Sequence, residues 1–221
     1  MKYYLIAGEA SGDLHASNLM LALKKADPEA EFRFWGGDLM QEAGGTLVKH
    51  YRELAFMGFL EVIANLRTIL KNIKVCKNDI LEYKPDTIIF IDYPGFNMRI
   101  AKWAKELNIS TQYYISPQIW AWKENRINAI KRDVDEMYVI LPFEKEFYEE
   151  KHQFPVHFVG HPLLDSIAKK EFVSPEKSRK KHQLDNRDII EFYTGSQKPY
   201  NTNLWTTMCG ITYDLKKNTF I

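Results

Sequence analysis

Apolar positions along this chain fall into two alternating patterns. Short apolar blocks occupy residues 2–7, 31–35, 87–91, 111–115, 136–140 and 156–159. Each is of strand length, and Thr87-Ile88-Ile89-Phe90-Ile91, after Pro85, is rich in the β-branched and aromatic residues that fit a pleated surface. Between the blocks, residues 13–25, 58–82, 95–107, 123–131, 143–150 and 163–170 carry apolar side chains at spacings of three and four, the period of a helix face. Strand and helix alternate throughout. That order predicts an α/β fold, a doubly wound Rossmann-like parallel sheet with helices on both faces. The rhythm ends near residue 170. Residues 171–187 are polar and basic, like a linker or surface helix; Asp188–Tyr193 could begin a strand, and 194–221 show neither period. The expected organisation is a domain over 1–170, a linker over 171–187 and an atypical stub over 188–221.

Composition narrows the class. The 221 residues are 45% apolar, with 30 Lys+Arg against 29 Asp+Glu. Disorder of the whole chain is excluded, and a core can form without staples. A net charge of +1 provides no global attraction to nucleic acid, so any pull toward an anionic surface is local. Two cysteines, Cys76 and Cys209, cannot build a disulfide framework or a four-thiolate zinc site, and fit a reducing compartment. The N-terminal block reaches Glu9 too early for a signal peptide, and no apolar run approaches the roughly 18 residues of a membrane span. The expectation is a cytoplasmic protein.

Four loops follow predicted strands, where doubly wound sheets bind ligands. Gly8-Glu9-Ala10-Ser11-Gly12-Asp13-Leu14-His15 opens the first helix; its backbone N–H groups could meet an anion, or Ser11 or Asp13 could cap the helix. Asp92, after the clearest strand, could take a proton from an attacking hydroxyl or cap the helix begun by Pro94-Gly95. Ser116-Pro117-Gln118-Ile119-Trp120-Ala121-Trp122 puts two indoles in one loop, suited to a sugar ring or acyl chain, or to sealing the sheet end. His161, in Gly160-His161-Pro162, could bond a phosphate or hydroxyl, or satisfy its own backbone. No cluster has metal-ligand spacing, so no metal is expected. On the helix at 59–73, Phe59, Leu60, Val62, Ile63, Leu66, Ile69, Leu70 and Ile73 form a stripe flanked by Arg67, Lys71 and Lys74. Such a face suits a bilayer surface or the cover of a sheet.

Six of these segments, in order over residues 1–165, resemble the lipid A disaccharide synthases, inverting glycosyltransferases of the two-Rossmann-domain (GT-B) type. They are Gly8-Glu9-Ala10-Ser11-Gly12-Asp13, Phe56-Met57-Gly58-Phe59-Leu60-Glu61-Val62, Asp92-Tyr93-Pro94-Gly95-Phe96-Asn97, Ser116-Pro117-Gln118-Ile119-Trp120-Ala121-Trp122, Leu141-Pro142-Phe143-Glu144 and Phe158-Val159-Gly160-His161-Pro162-Leu163.

The resemblance implies the acceptor-side half of a GT-B fold. It implies transfer from UDP-2,3-diacylglucosamine to 2,3-diacylglucosamine 1-phosphate, with a UDP-sugar as donor substrate and no cofactor. Asp92 is then the catalytic base. Glu9, Ser11, Gly12, Asn97, Ser116, Gln118, Trp120 and His161 become substrate-binding candidates. The stripe with its three cations becomes a docking surface for the cytoplasmic face of the inner membrane, making the protein peripheral there. Where the family carries Leu-Pro-Gly-Ser-Arg for the donor diphosphate, this chain has Tyr193-Thr194-Gly195-Ser196-Gln197, without the arginine. That departure keeps open a second class: a non-catalytic module that binds acylated sugar phosphates or membranes.

Overall fold

The computed structural model describes residues 1–54, 66–168 and 173–181. Seven strands form one sheet: β1 (Lys2–Ala7), β2 (Glu31–Gly36), β3 (Thr46–His50), β4 (Thr87–Ile91), β5 (Ser110–Tyr114), β6 (Glu136–Val139) and β7 (His157–Phe158). Their order is β3-β2-β1-β4-β5-β6-β7, and every neighbouring pair is parallel. The helices are α1 (Ala10–Ala26), α2 (Asp38–Ala43), α3 (Leu66–Tyr83), α4 (Pro94–Glu106), α5 (Ile127–Asp133), α6 (Pro142–Glu146, continued by a π turn over Phe147–Lys151), α7 (Leu163–Ala168) and α8 (Pro175–Lys181). Residues 1–165 form one compact unit. In the second unit, beginning at Ser166, α8 starts where the Ser174 hydroxyl accepts the Lys177 N–H.

Strand β4, apolar after Thr87, is buried along its whole length, as a central parallel strand covered on both faces must be. Alternate residues feed two cores. Tyr4, Ile6, Ile88, Phe90, Tyr113 and Met137 pack with residues of α3, α4 and α5. Tyr3, Leu5, Phe32, Phe34, Ile89 and Ile91 pack with residues of α1 and α2. Right-handed crossovers explain the division. The chain winds outward from β1 to β3 in one direction and from β4 to β7 in the other, which puts the two sets of helices on opposite faces. The direction reverses between β1 and β4, and the loops after these two strands lie at the sheet edge where doubly wound folds place ligands. Further support comes from Asp79 on α3. It accepts a bidentate pair from Arg33, with the Nε contacts at 3.0 and 2.9 Å, and the Tyr4 hydroxyl at 2.7 Å.

The six expected strands are all present. Strand β3 and helix α2 were not expected: β3 is a short edge strand with no fully buried residue, so it lacks the apolar block that marks the others. Neither Ser11 nor Asp13 caps α1, whose N-cap residue is Glu9, without a side-chain cap. Asp13 is buried and caps α2 instead, accepting N–H groups from Gly37 at 2.8 Å and from Leu39 and Met40 at 3.1 Å. Of the helix expected over 58–82, residues 58–65 lie outside the described residues, as do 171–172 and 182–221 of the linker and stub.

Candidate functional site

The reversal point between β1 and β4 is tightly built. A methyl group added at Gly8 would fall 2.3 Å from Cγ of Tyr93, so only glycine lets the two loops meet this closely. Asp92 and Tyr93 both take left-handed backbone, with φ of 44° and 49°. Two such residues in succession persist only where their surroundings hold them. The Asp92 carbonyl accepts the Tyr113 hydroxyl at 2.6 Å and the Asn97 amide at 2.7 Å, and its N–H reaches the Tyr114 carbonyl at 3.2 Å. Asn97 is fully buried, with its amide also reaching the Ile6 and Ile91 carbonyls. Its side chain is therefore a strut beneath Asp92.

Burial, followed by the nearby charge of Glu9, pushes the Asp92 carboxyl up to about 6, against an opposing hydrogen bond from the Tyr93 backbone. A carboxylate so raised is a better proton acceptor than an exposed one and is still mostly ionised at neutral pH. Glu9 and Ser11 are exposed at the start of α1, while Gly12 is buried against Ala7. His15, one turn further along, is buried, and its Nδ1 has no hydrogen-bond partner among the described residues. Burial, with a smaller contribution from His161, holds its imidazole below the ordinary value and hence neutral at pH 7. The sequence pattern named His15 only as part of its loop. Its burial beside a second histidine is a product of the fold.

The loop after β5 divides its residues. Ser116 is buried and donates to Glu144 at 2.6 Å, and Trp120, half-buried, donates its indole N–H to the same oxygen at 3.3 Å. Gln118 is exposed. Trp122 is 58% exposed, with the Lys123 ammonium 4.5 Å and the Arg126 guanidinium 5.6 Å from its ring centroid. Only one of the two indoles therefore seals the sheet end. His161 accepts the Leu163 N–H on Nδ1 at 3.2 Å, which orients its ring at the start of α7.

On α3, Ile73 packs on the core, Ile69 is half-buried, and Arg67, Leu70, Lys71 and Lys74 are exposed. The inward face continues through Cys76 and Ile80, so this part of the predicted stripe covers the sheet while its flank faces outward. Phe59, Leu60, Val62 and Ile63 lie outside the described residues, as does the side chain of Leu66. No helix among the described residues is long and apolar enough to cross a membrane. A separate groove of about 550 Å³, walled by Leu19, Leu23, Ile89, Tyr114 and His161 among others, runs over one sheet face. Of the candidate side chains His161 lines it and Asp92 does not.

The family model described as lipid-A-disaccharide synthetase matches residues 3–219, a span that includes the segment expected to be linker and stub. A lipid-A-disaccharide synthase from Geobacter metallireducens is 44% identical over 199 residues, covering 88% of this chain and 50% of the relative. One from Trichlorobacter lovleyi is 40% identical over 205 residues, covering 92% of this chain and 53% of the relative. The chain thus spans about half the length of the curated relatives it matches. Among solved structures, a UDP-N-acetylglucosamine 2-epimerase from Rickettsia bellii superposes with a TM-score of 0.62 at 14% identity, over 100% of this chain and 61% of that one. At that identity the likeness establishes the fold alone.

Proposed function

The chain belongs to the lipid-A-disaccharide synthetase family, and from that membership we propose that it carries the acceptor-side half of an inverting glycosyltransferase of lipid A biosynthesis. The acceptor is 2,3-diacylglucosamine 1-phosphate and the donor is UDP-2,3-diacylglucosamine. The acceptor's 6-hydroxyl oxygen attacks the anomeric carbon of the donor. As that bond forms, the bond from the anomeric carbon to UDP breaks, and UDP leaves with the electron pair. The hydroxyl proton passes to Asp92. One displacement from the face opposite UDP gives a β-1,6-linked disaccharide 1-phosphate without a covalent intermediate.

The observation that carries this reading is Asp92 itself: a carboxyl pushed up to about 6 at the sheet edge, on a backbone turn held by Asn97 and Tyr113. The remaining candidates take two roles. Glu9, Ser11, the Gly12 backbone, Gln118, Trp120 and His161 meet the substrate. Asn97 and Ser116 hold the loops that present them. Both substrates carry acyl chains, so the outward flank of α3, with Arg67, Lys71 and Lys74 around Leu70, works as a contact with the anionic cytoplasmic surface of the inner membrane.

The test is turnover of both acylated sugars by a full-length relative carrying the change equivalent to Asp92→Asn. Loss of a general base lowers the rate by roughly 10²–10⁴-fold. A near-normal rate would overturn the assignment.

A further inference from the structure

We propose that Glu144 is a positioning residue, whose carboxylate sets the Ser116–Trp122 loop so that Trp120 and Gln118 meet the acceptor sugar. This rests on the acceptor-side reading above and assigns a role to a residue outside the loop. Glu144 is buried at the start of α6. Its Oε2 accepts the backbone N–H groups of Ile140 at 3.1 Å and Leu141 at 2.8 Å, which is ordinary helix capping. Its Oε1 does something capping does not require. It accepts from Ser116 and from the Trp120 indole, across 28 and 24 residues of sequence.

Two more contacts from the same segment close the clamp. The Tyr148 hydroxyl donates to the Pro117 carbonyl at 3.1 Å, and the Phe143 ring meets Trp120 edge-on with centroids 4.9 Å apart. The chain enters this loop through Ile115, a β-branched residue at φ 65°, a conformation such residues avoid. A strained entry held by contacts from one helix sets the loop in a definite place, and the two hydrogen bonds from Ser116 and Trp120 meet on Glu144.

The donor inventory yields a selective variant. Three of the four groups facing the carboxylate are N–H groups, which can only donate. In Glu144→Gln the side-chain NH₂ must replace one oxygen. Turned toward Ile140 and Leu141, it would face two N–H groups. Turned toward the loop, it faces Ser116, whose hydroxyl can rotate to accept, and the Trp120 N–H, which cannot. The second orientation loses less. E144Q therefore keeps the helix cap and specifically releases Trp120.

The experiment uses the 221-residue chain. The Trp120 indole N–H resonance is identified by its absence in Trp120→Phe, and binding of detergent-dispersed 2,3-diacylglucosamine 1-phosphate is measured by calorimetry. In E144Q the indole resonance shifts, the melting temperature stays within a few degrees of the parent, and acceptor affinity falls roughly tenfold, the scale of one charge-assisted hydrogen bond. W120F weakens binding as well. The double variant E144Q/W120F binds no worse than the weaker single variant, because both act through one contact. Parent-like affinity in E144Q, or an additive double variant, would overturn the role of Glu144. A parent chain that does not bind the acceptor would overturn the acceptor-side reading itself, and this proposal with it.

Discussion

Asp92 shows how much one residue depends on its neighbours. The sequence places a carboxylate at the end of the most apolar strand, and that position was legible from Thr87–Ile91 alone. What raises its carboxyl was not: burial at the reversal point, and then the charge of Glu9, which only the fold brings to it from the loop after β1. The same shift has a cost in stability. Between about pH 4 and 6 the folded state binds more protons at Asp92 than the unfolded state does, so stability falls as pH rises through that window. Asp92→Asn removes the penalty and keeps a residue type that tolerates left-handed backbone. Above pH 6 the variant should unfold at higher denaturant than the parent, by up to about 3 kcal/mol, and the difference should vanish near pH 4. Equal stability at pH 7 would mean that the carboxyl is not strained by its surroundings.

At the scale of elements, pattern reading succeeds where a segment buries enough apolar surface to reveal its period. Strands β1, β2, β4, β5 and β6 meet that condition; β7 has two exposed residues and is marked only by buried Phe154 and Val156 before it, and β3 has no fully buried residue. Helix α2 is six residues long, and its cap is Asp13, which lies on a different helix, so no local signal announces it. Helix α3 explains why one stripe supported two readings. Ile73, Cys76 and Ile80 face the core, while Leu70, 55% exposed, stands among three exposed cations. One helix can cover the sheet and present a basic flank at once. If that flank docks on a membrane, Lys71→Glu with Lys74→Glu should reduce binding to vesicles containing anionic lipid by at least about tenfold at low salt, since each cation near such a surface is worth about 1 kcal/mol. Binding to neutral vesicles should hardly change. Unchanged cosedimentation with anionic vesicles would remove α3 from the membrane contact.

For the molecule as a whole, the alternation of strands and helices was enough to foresee a doubly wound sheet, because right-handed crossovers leave few other ways to connect parallel strands. It also placed the candidate loops together, since each follows a strand of a parallel sheet and so lies at the same edge. It did not reveal which side chains face substrate and which hold others in place. Asn97, Ser116 and Glu144 divide from Gln118 and Trp122 only through burial and through hydrogen bonds spanning the sheet edge. Likewise, His15 stands out only once its ring is seen buried without a partner for Nδ1 among the described residues.

The central claim is that the Asp92 carboxylate accepts the acceptor's proton, and the pH dependence of kcat/KM tests it most directly. The measurement belongs in a full-length relative that retains the Asp-x-Pro-x-Phe-Asn motif. The account predicts that kcat/KM rises about tenfold per pH unit below an inflection near 6 and levels off above it, with the inflection absent in the Asp-to-Asn variant. A profile that is flat through pH 6, or an inflection that survives in the variant, would contradict it.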